Sequence, residues 1–325
     1  MAGESVNAMS AETAPPAEDP LPIIDAHHHF WDLASHRYPW LCDPEPIPFR
    51  YGDYAAIRHS YLPADYRADT RGFTIVGSVH MEAEHDPADP LGETVWLEEV
   101  AAETGLPNAC VCQAWLDRAD VAGVLAAQAR SPLVRGIRHK PAASADPREA
   151  RRGAPGSMDD PVWRQGYAML AKHGLSFDLQ TPYWHLDAAA ELAADFPETP
   201  IIVNHTGLPA DRSEAGLAAW RRALEGMARH ANVVLKISGI GLAGRAWRVA
   251  ENRPVVREAI AIFGVARCLF ASNFPVDGLV ADFQTIFAGY RAITADLPEA
   301  DIAKLFHDNA VRVYRLDRAL TGEQA

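Results

Sequence analysis

Apolar runs recur along this chain, and nearly every one turns polar at its C-terminal end. The runs cover residues 23–29, 73–82, 109–116, 134–140, 175–180, 200–206, 233–239 and 268–274. They are short and rich in Val and Ile, so they read as buried strands. Between them lie Ala- and Leu-rich stretches with helical spacing, as at 94–103, 119–130, 161–173, 187–195, 214–230 and 254–263. Strand–helix alternation implies an α/β fold with a parallel sheet. Eight such units predict a single-domain (β/α)8 TIM barrel. A doubly wound sheet is the alternative. The polar ends favour the barrel: His27 and His29; His80 and Glu82; Arg138, His139 and Lys140; Asp178 and Gln180; Asn204 and His205; Lys236 and Ser238; Ser272 and Asn273. Barrel enzymes build their sites there, and a purely structural barrel has little reason to concentrate costly polar groups in one place.

Segments outside this alternation complete the layout. The connection 30–72 is long, and it carries Tyr38-Pro39-Trp40-Leu41 and many aromatics. Long loops in compact domains are often lids; these aromatics either pave a pocket wall or seal the barrel mouth. Residues 141–160, rich in Ala, Arg and Gly, are expected to form a mobile flap. Residues 298–316 are expected to be helices closing the barrel. The Ala-, Pro- and Ser-rich start, 1–20, is expected to be a disordered arm. The barrel then spans 21–318, with a tail at 319–325.

Composition narrows the function. The chain has 325 residues and is 48% hydrophobic, enough for one large core. Its net charge of −13, without a basic cluster, speaks against nucleic acid and anionic membranes as partners. The partner expected is a small molecule, and a homo-oligomer is left open. The four cysteines form no disulfide framework or zinc pattern. Cys110 and Cys112 share one face and are expected to be buried thiols. With no signal peptide and no membrane-spanning run, the expected location is cytoplasmic.

The chemistry concentrates in Asp25-Ala26-His27-His28-His29. His27 and His29 are two residues apart on a strand and share a face. Two imidazoles so placed can hold a metal ion or polarise a carbonyl oxygen. His205 ends another strand, where a capping role is the plainer reading. Glu82 can face the same mouth or be a solvated loop acid. Asp277 lies four residues after Asn273, past a proline turn that could return it over the mouth; it could equally cap a helix starting near Leu279. Arg138 and His139 suit an anion site or a salt-bridged rim. Trp40 and Trp184 are candidate pocket walls.

These motifs, taken in order, resemble the amidohydrolase-2 family of the amidohydrolase superfamily. The matching stretches are Ile24-Asp25-Ala26-His27-His28-His29-Phe30-Trp31-Asp32, Arg135-Gly136-Ile137-Arg138, Val203-Asn204-His205-Thr206-Gly207-Leu208-Pro209, Lys236-Ile237-Ser238-Gly239 and Leu269-Phe270-Ala271-Ser272-Asn273-Phe274-Pro275-Val276-Asp277. Phe30-Trp31-Asp32 and Tyr38-Pro39-Trp40-Leu41 bring the chain nearest to the fuconolactonase and rhamnonolactonase-like branch, a relative of 2-pyrone-4,6-dicarboxylate lactonase. The resemblance implies a hydrolytic site of His27, His29 and His205 with an acid ending the last strand. Here that acid is replaced by Asn273, and no lysine suits a carboxylated bridge, so a binuclear centre is not expected. One zinc on His27, His29 and His205 and a metal-free site both stay open; no organic cofactor is implied. The expected reaction is hydrolysis of a small lactone, a sugar-acid lactone. The histidines would polarise the carbonyl, and Asp277 or Glu82 would take the water proton. Arg138, His139, Asn273, Trp40 and Trp184 would position the substrate. The alternatives are a non-oxidative metal-dependent decarboxylase, against which Asn273 counts, and a catalytically silent ligand-binding barrel.

Overall fold

The computed structural model describes residues 19–317. The expected arm therefore lies outside the described residues except for Asp19 and Pro20, which open the first strand, and the expected tail lies wholly outside them. Eight strands follow one another round a parallel sheet in chain order: β1 Asp19–His28, β2 Phe73–Met81, β3 Ala109–Gln113, β4 Val134–Arg138, β5 Ser176–Leu179, β6 Ile201–Val203, β7 Val233–Ile237 and β8 Cys268–Phe270. The ends of β1 and β8 meet through His29 N–H to Phe274 O and Asn273 N–H to His27 O, both 2.7 Å. The fold is the (β/α)8 barrel, with its closing seam beside the histidine motif.

Period-two alternation sorts the side chains. On β3, Ala109 and Val111 enter the barrel interior beside Ile24, Val79, Ile202 and Leu269, while Cys110 and Cys112 pack outward. Both thiols are buried and all four cysteines are free. On β1 the pairing with β2 shifts register between Asp25 and His28. Asp25 turns outward to the hydroxyls of Ser272 and Tyr66 (2.6 and 3.0 Å). His28 turns outward to Ser78 (2.9 Å). Ile24 and Ala26 fill the interior, and His27 and His29 are left at the mouth.

The helices are α1 Pro39–Cys42, α2 Pro63–Asp69, α3 Gly92–Thr104, α4 Val121–Gln128, α5 Pro161–Lys172, α6 Leu186–Asp195, α7 Glu214–Ala228, α8 Val249–Phe263, α9 Phe283–Thr294, α10 Glu299–Ala303 and α11 Asn309–Tyr314. Their starts follow side-chain chemistry: Asp160, Ser213 and Asp282 cap α5, α7 and α9 by accepting a backbone N–H in the first turn. The cap of α9 is therefore Asp282, not Asp277. Helix α9 was not among the stretches the spacing predicted, because its Phe, Thr, Ile and Tyr favour strands equally well. Its buried Phe283, Ile286, Phe287, Tyr290 and Ile293 nevertheless follow a helical period. Helix α8 begins five residues before Pro254, which sits inside it.

The C-terminal helices close the barrel as expected, at the N-terminal ends of the strands. The Asn309 amide donates to the carbonyls of Val265 and Cys268 (2.8 Å each). Tyr314 enters the interior and donates to Asp178 Oδ1 at 3.0 Å, where Lys236 Nζ also donates at 2.7 Å. No helix among the described residues is long and apolar enough to cross a membrane.

Candidate active site

Three imidazoles meet at the mouth. The His27 ring lies 5.1 Å from that of His29 and 4.6 Å from that of His205. Each is carried by the end of a strand, so the barrel fixes their spacing. His29 Nδ1 donates to Met81 O at 2.8 Å. A carbonyl only accepts, so the proton sits on Nδ1 and Nε2 carries a lone pair. His205 Nδ1 is held by the Ser238 hydroxyl at 3.0 Å, which leaves Nε2 to the cavity. His27 is fully buried, and neither of its nitrogens has a partner among the described residues. All three are driven well below the ordinary histidine pKa. Burial is the first cause in each; the next are Lys236 for His27, Arg138 for His29 and Arg50 for His205. They are neutral at pH 7.

Asn273 stands against His29. Its Nδ2 donates to Asp277 Oδ1 at 2.6 Å, which fixes the amide orientation. Its Oδ1 then faces His29 Nε2 at 3.4 Å. With His29 neutral, two acceptors confront one another directly, and a donor set beside them would satisfy both. Asn273 and His205 both adopt left-handed backbone, with φ of 59° and 52°. Such conformations persist only where the surroundings enforce them, and they gather at functional sites. Gly239 leaves space for His205 and Arg50: a Cβ there would lie 2.7 Å from His205 Nδ1 and 2.8 Å from Arg50 Nη2.

Neither carboxylate expected as the base stands free. Glu82 pairs with the Arg138 guanidinium through Oε1 and accepts the Glu84 N–H through Oε2 at 2.7 Å. Asp277 does return toward the mouth, but it is buried behind Asn273. Its Oδ1 accepts from Asn273, from Arg50 Nη2 (3.0 Å) and from the Tyr51 hydroxyl (2.9 Å). Burial raises its pKa, opposed by Arg50, Asn273 and Tyr51.

The central cavity, about 220 Å³, is lined by His29, His205, Asn273, Trp40, Arg50 and Arg138 among others. Trp40 stacks on Phe49 with rings 5.7 Å apart and 9° from parallel, so the long loop forms a wall. Arg138 is anchored by Glu82 and by Gln180 (3.1 Å). Two expected residues lie elsewhere. The Trp184 indole donates to Ser144 O at 3.0 Å and lines a separate groove; with His185 it pins the 141–160 segment that was expected to be a mobile flap. His139 turns toward α5, because its Nδ1 accepts from Leu116 N–H and the Trp163 indole, both at 3.0 Å; it lines a cavity next to the central one. Arg50 was missed. Its signal was a lone cation among the loop aromatics Phe49 and Tyr51.

Among the described residues no three His, Cys, Asp or Glu side chains group to hold an ion. The charges that act on the three histidines are cationic: Arg50, Arg138 and Lys236.

Comparison with known proteins agrees with the motifs. The amidohydrolase family matches residues 24–316. An uncharacterized protein of Sinorhizobium fredii, y4mH, is 41% identical over 296 residues, covering 91% of this chain and 99% of that one. An L-fucono-1,5-lactonase of Burkholderia ambifaria is 29% identical over 311 residues, covering 93% of this chain and 98% of its own. An amidohydrolase of Burkholderia multivorans, solved with HEPES and also with zinc, superposes with a TM-score of 0.75 at 25% identity, covering 91% of this chain and 99% of its own.

Proposed function

The chain belongs to the amidohydrolase family, and from that premise we propose that it is a lactonase, hydrolysing the ester bond of a small sugar-acid lactone at the C-terminal mouth of its barrel. Similarity to L-fucono-1,5-lactonases along nearly the whole chain supports the reaction class. The observation that carries the mechanism is the facing pair of acceptors, His29 Nε2 and Asn273 Oδ1. A water molecule set beside the pair, off the line that joins them, and donating one proton to each would satisfy both, with an oxygen lone pair directed into the cavity. In this reading water attacks the lactone carbonyl as His29 takes its proton. His205 Nε2–H and the guanidiniums of Arg50 and Arg138 stabilise the oxyanion. The ring C–O bond breaks, and His29 returns the proton to the leaving oxygen. The product carboxylate forms beside the same cations. Asp277 and Glu82 position Asn273, Arg50 and Arg138, and His27 supports the other two imidazoles from beneath.

The test is a panel of aldonolactones followed with a pH indicator. Acid release is expected from the wild type. His29→Ala and His205→Ala should each lower turnover by about a hundredfold or more, as for loss of a base or of an oxyanion donor. Their unfolding midpoints should stay close to wild type, because both residues, though buried, line the cavity rather than pack in the apolar core. Folded variants with undiminished rates, or alkalinisation with aromatic carboxylates in place of lactone opening, would sink the reading.

A further inference from the structure

Beside the central cavity lies a second, larger one of about 350 Å³, and Trp40, Ile47, Glu84, Arg138 and Lys140 line both. A single small lactone does not need both. Gln113, on the inward face of β3, is 3% exposed and lines the second lobe. Neither its amide oxygen nor its amide nitrogen has a partner among the described residues. A buried primary amide with both ends unpaired costs free energy until something supplies an acceptor and a donor. His139 adds a donor: its Nδ1 accepts two N–H groups, so its proton must sit on Nε2. Indole walls come from Trp40 and Trp115.

Charge selects the ligand further. Of the Arg50–Asp277 pair, only Arg50 lines the central cavity. In the second lobe both members of each ion pair line the wall, Glu82 with Arg138 and Glu84 with Lys140. Positive and negative cancel locally, so this lobe offers no excess charge to a carboxylate or phosphate. Paired donors and acceptors beside aromatic walls suit vicinal hydroxyls on a ring with apolar C–H faces.

Resting on the lactonase reading, we infer that the second lobe is a subsite for a neutral hydroxylated ring, so that the preferred substrate is a glycosyl-substituted aldonolactone. The two lobes together match the size range of ligand pockets, about 300–1,000 Å³. Gln113 acts there as a specificity residue and takes no part in the chemistry.

The experiment uses the full chain and compares kcat/KM for D-glucono-1,5-lactone with cellobiono- and maltobiono-1,5-lactone. Calorimetric titration with cellobiose and maltose accompanies it. At least one disaccharide lactone should exceed the monosaccharide tenfold. Gln113→Leu, close to isosteric, should reduce that lactone about tenfold, the effect of losing neutral hydrogen bonds, and leave the monosaccharide within twofold. Trp115→Leu should do the same and stands in if Gln113→Leu fails to fold. Turnover of the monosaccharide with slower turnover of both disaccharide lactones overturns the subsite and leaves the lactonase reading intact. So does an equal effect of Gln113→Leu on both, or a preference for a lactone with a free carboxylate arm. If no lactone in the wider panel is opened, the lactonase reading fails. The titration then decides the lobe alone: disaccharide binding lost in Gln113→Leu supports it, and no binding overturns it.

Discussion

At the scale of residues, the proposed chemistry turns on Asn273, an amide where the resemblance implies a carboxylate. Asn273 cannot accept a proton, but with Asp277 fixing its Nδ2 it presents an oxygen to whatever His29 Nε2 faces. His29 is pushed well below 6.5 by burial, Arg138 and His80. A base is active above its pKa, and the rate falls as pH drops through it. The acid limb of kcat/KM should therefore lie well below 6.5. Asp277→Asn should leave that limb in place and lower kcat/KM about tenfold by loosening Arg50 and Asn273, the order expected for weakened hydrogen bonds to a charged group. Near-complete loss of turnover together with the acid limb would instead make Asp277 the base. The Glu82 partner Arg138 gives the parallel control: Glu82→Gln should behave like Asp277→Asn and shift no pKa of the profile.

At the scale of elements, the inward rows of β5 and β7 meet the last helix. Asp178 and Lys236 are fully buried and paired, and Tyr314 of α11 joins them. Burial pushes Lys236 down to about 8 against the pull of Asp178, and pushes Asp178 up against Lys236 and Tyr314. Desolvation outweighs the attraction on both sides, so the pair contributes little net stability, while breaking it strands a charge. Lys236→Met should cost about 3–5 kcal/mol. The double change Lys236→Met with Asp178→Leu should cost clearly less, because no charge is left alone. Urea unfolding of the two variants measures this; equal losses would mean that the pair has some other role. Alternation along the strands made both residues visible as polar strand ends, but not their meeting across the barrel.

For the whole molecule, closure decides what the site contains. The β1–β8 seam brings Asn273 to His29, and the 30–72 loop folds back to deliver Arg50 and Trp40. The resulting set lacks a grouped metal-binding cluster among the described residues. Turnover of purified protein should therefore largely survive dialysis against a chelator. Metal content should be substoichiometric by elemental analysis. Complete loss of activity on chelation, restored by zinc, would refute the metal-free reading of the proposed mechanism. The solved relative that holds zinc makes this comparison direct.

The sequence by itself determined the barrel, because period and polarity are local properties. Eight apolar runs with polar ends, separated by helical spacing, appear as eight consecutive parallel strands. His27, His29 and His205 were legible as strand-end residues for the same reason, and their rings do converge. Tertiary structure alone decided the rest. Along the chain Asp277 reads as a base or a helix cap and Glu82 as a base or a solvated loop acid, yet each meets an arginine from a distant segment, at positions 50 and 138. Trp184 shares the polar end of β5 but packs against the 141–160 segment, since a loop after a strand can turn away from the mouth. Gln113 gave no signal, because an unpaired amide is a property of the space around it. Ion pairing, loop direction and cavity shape depend on contacts across the closed barrel, which local hydrophobic pattern does not encode.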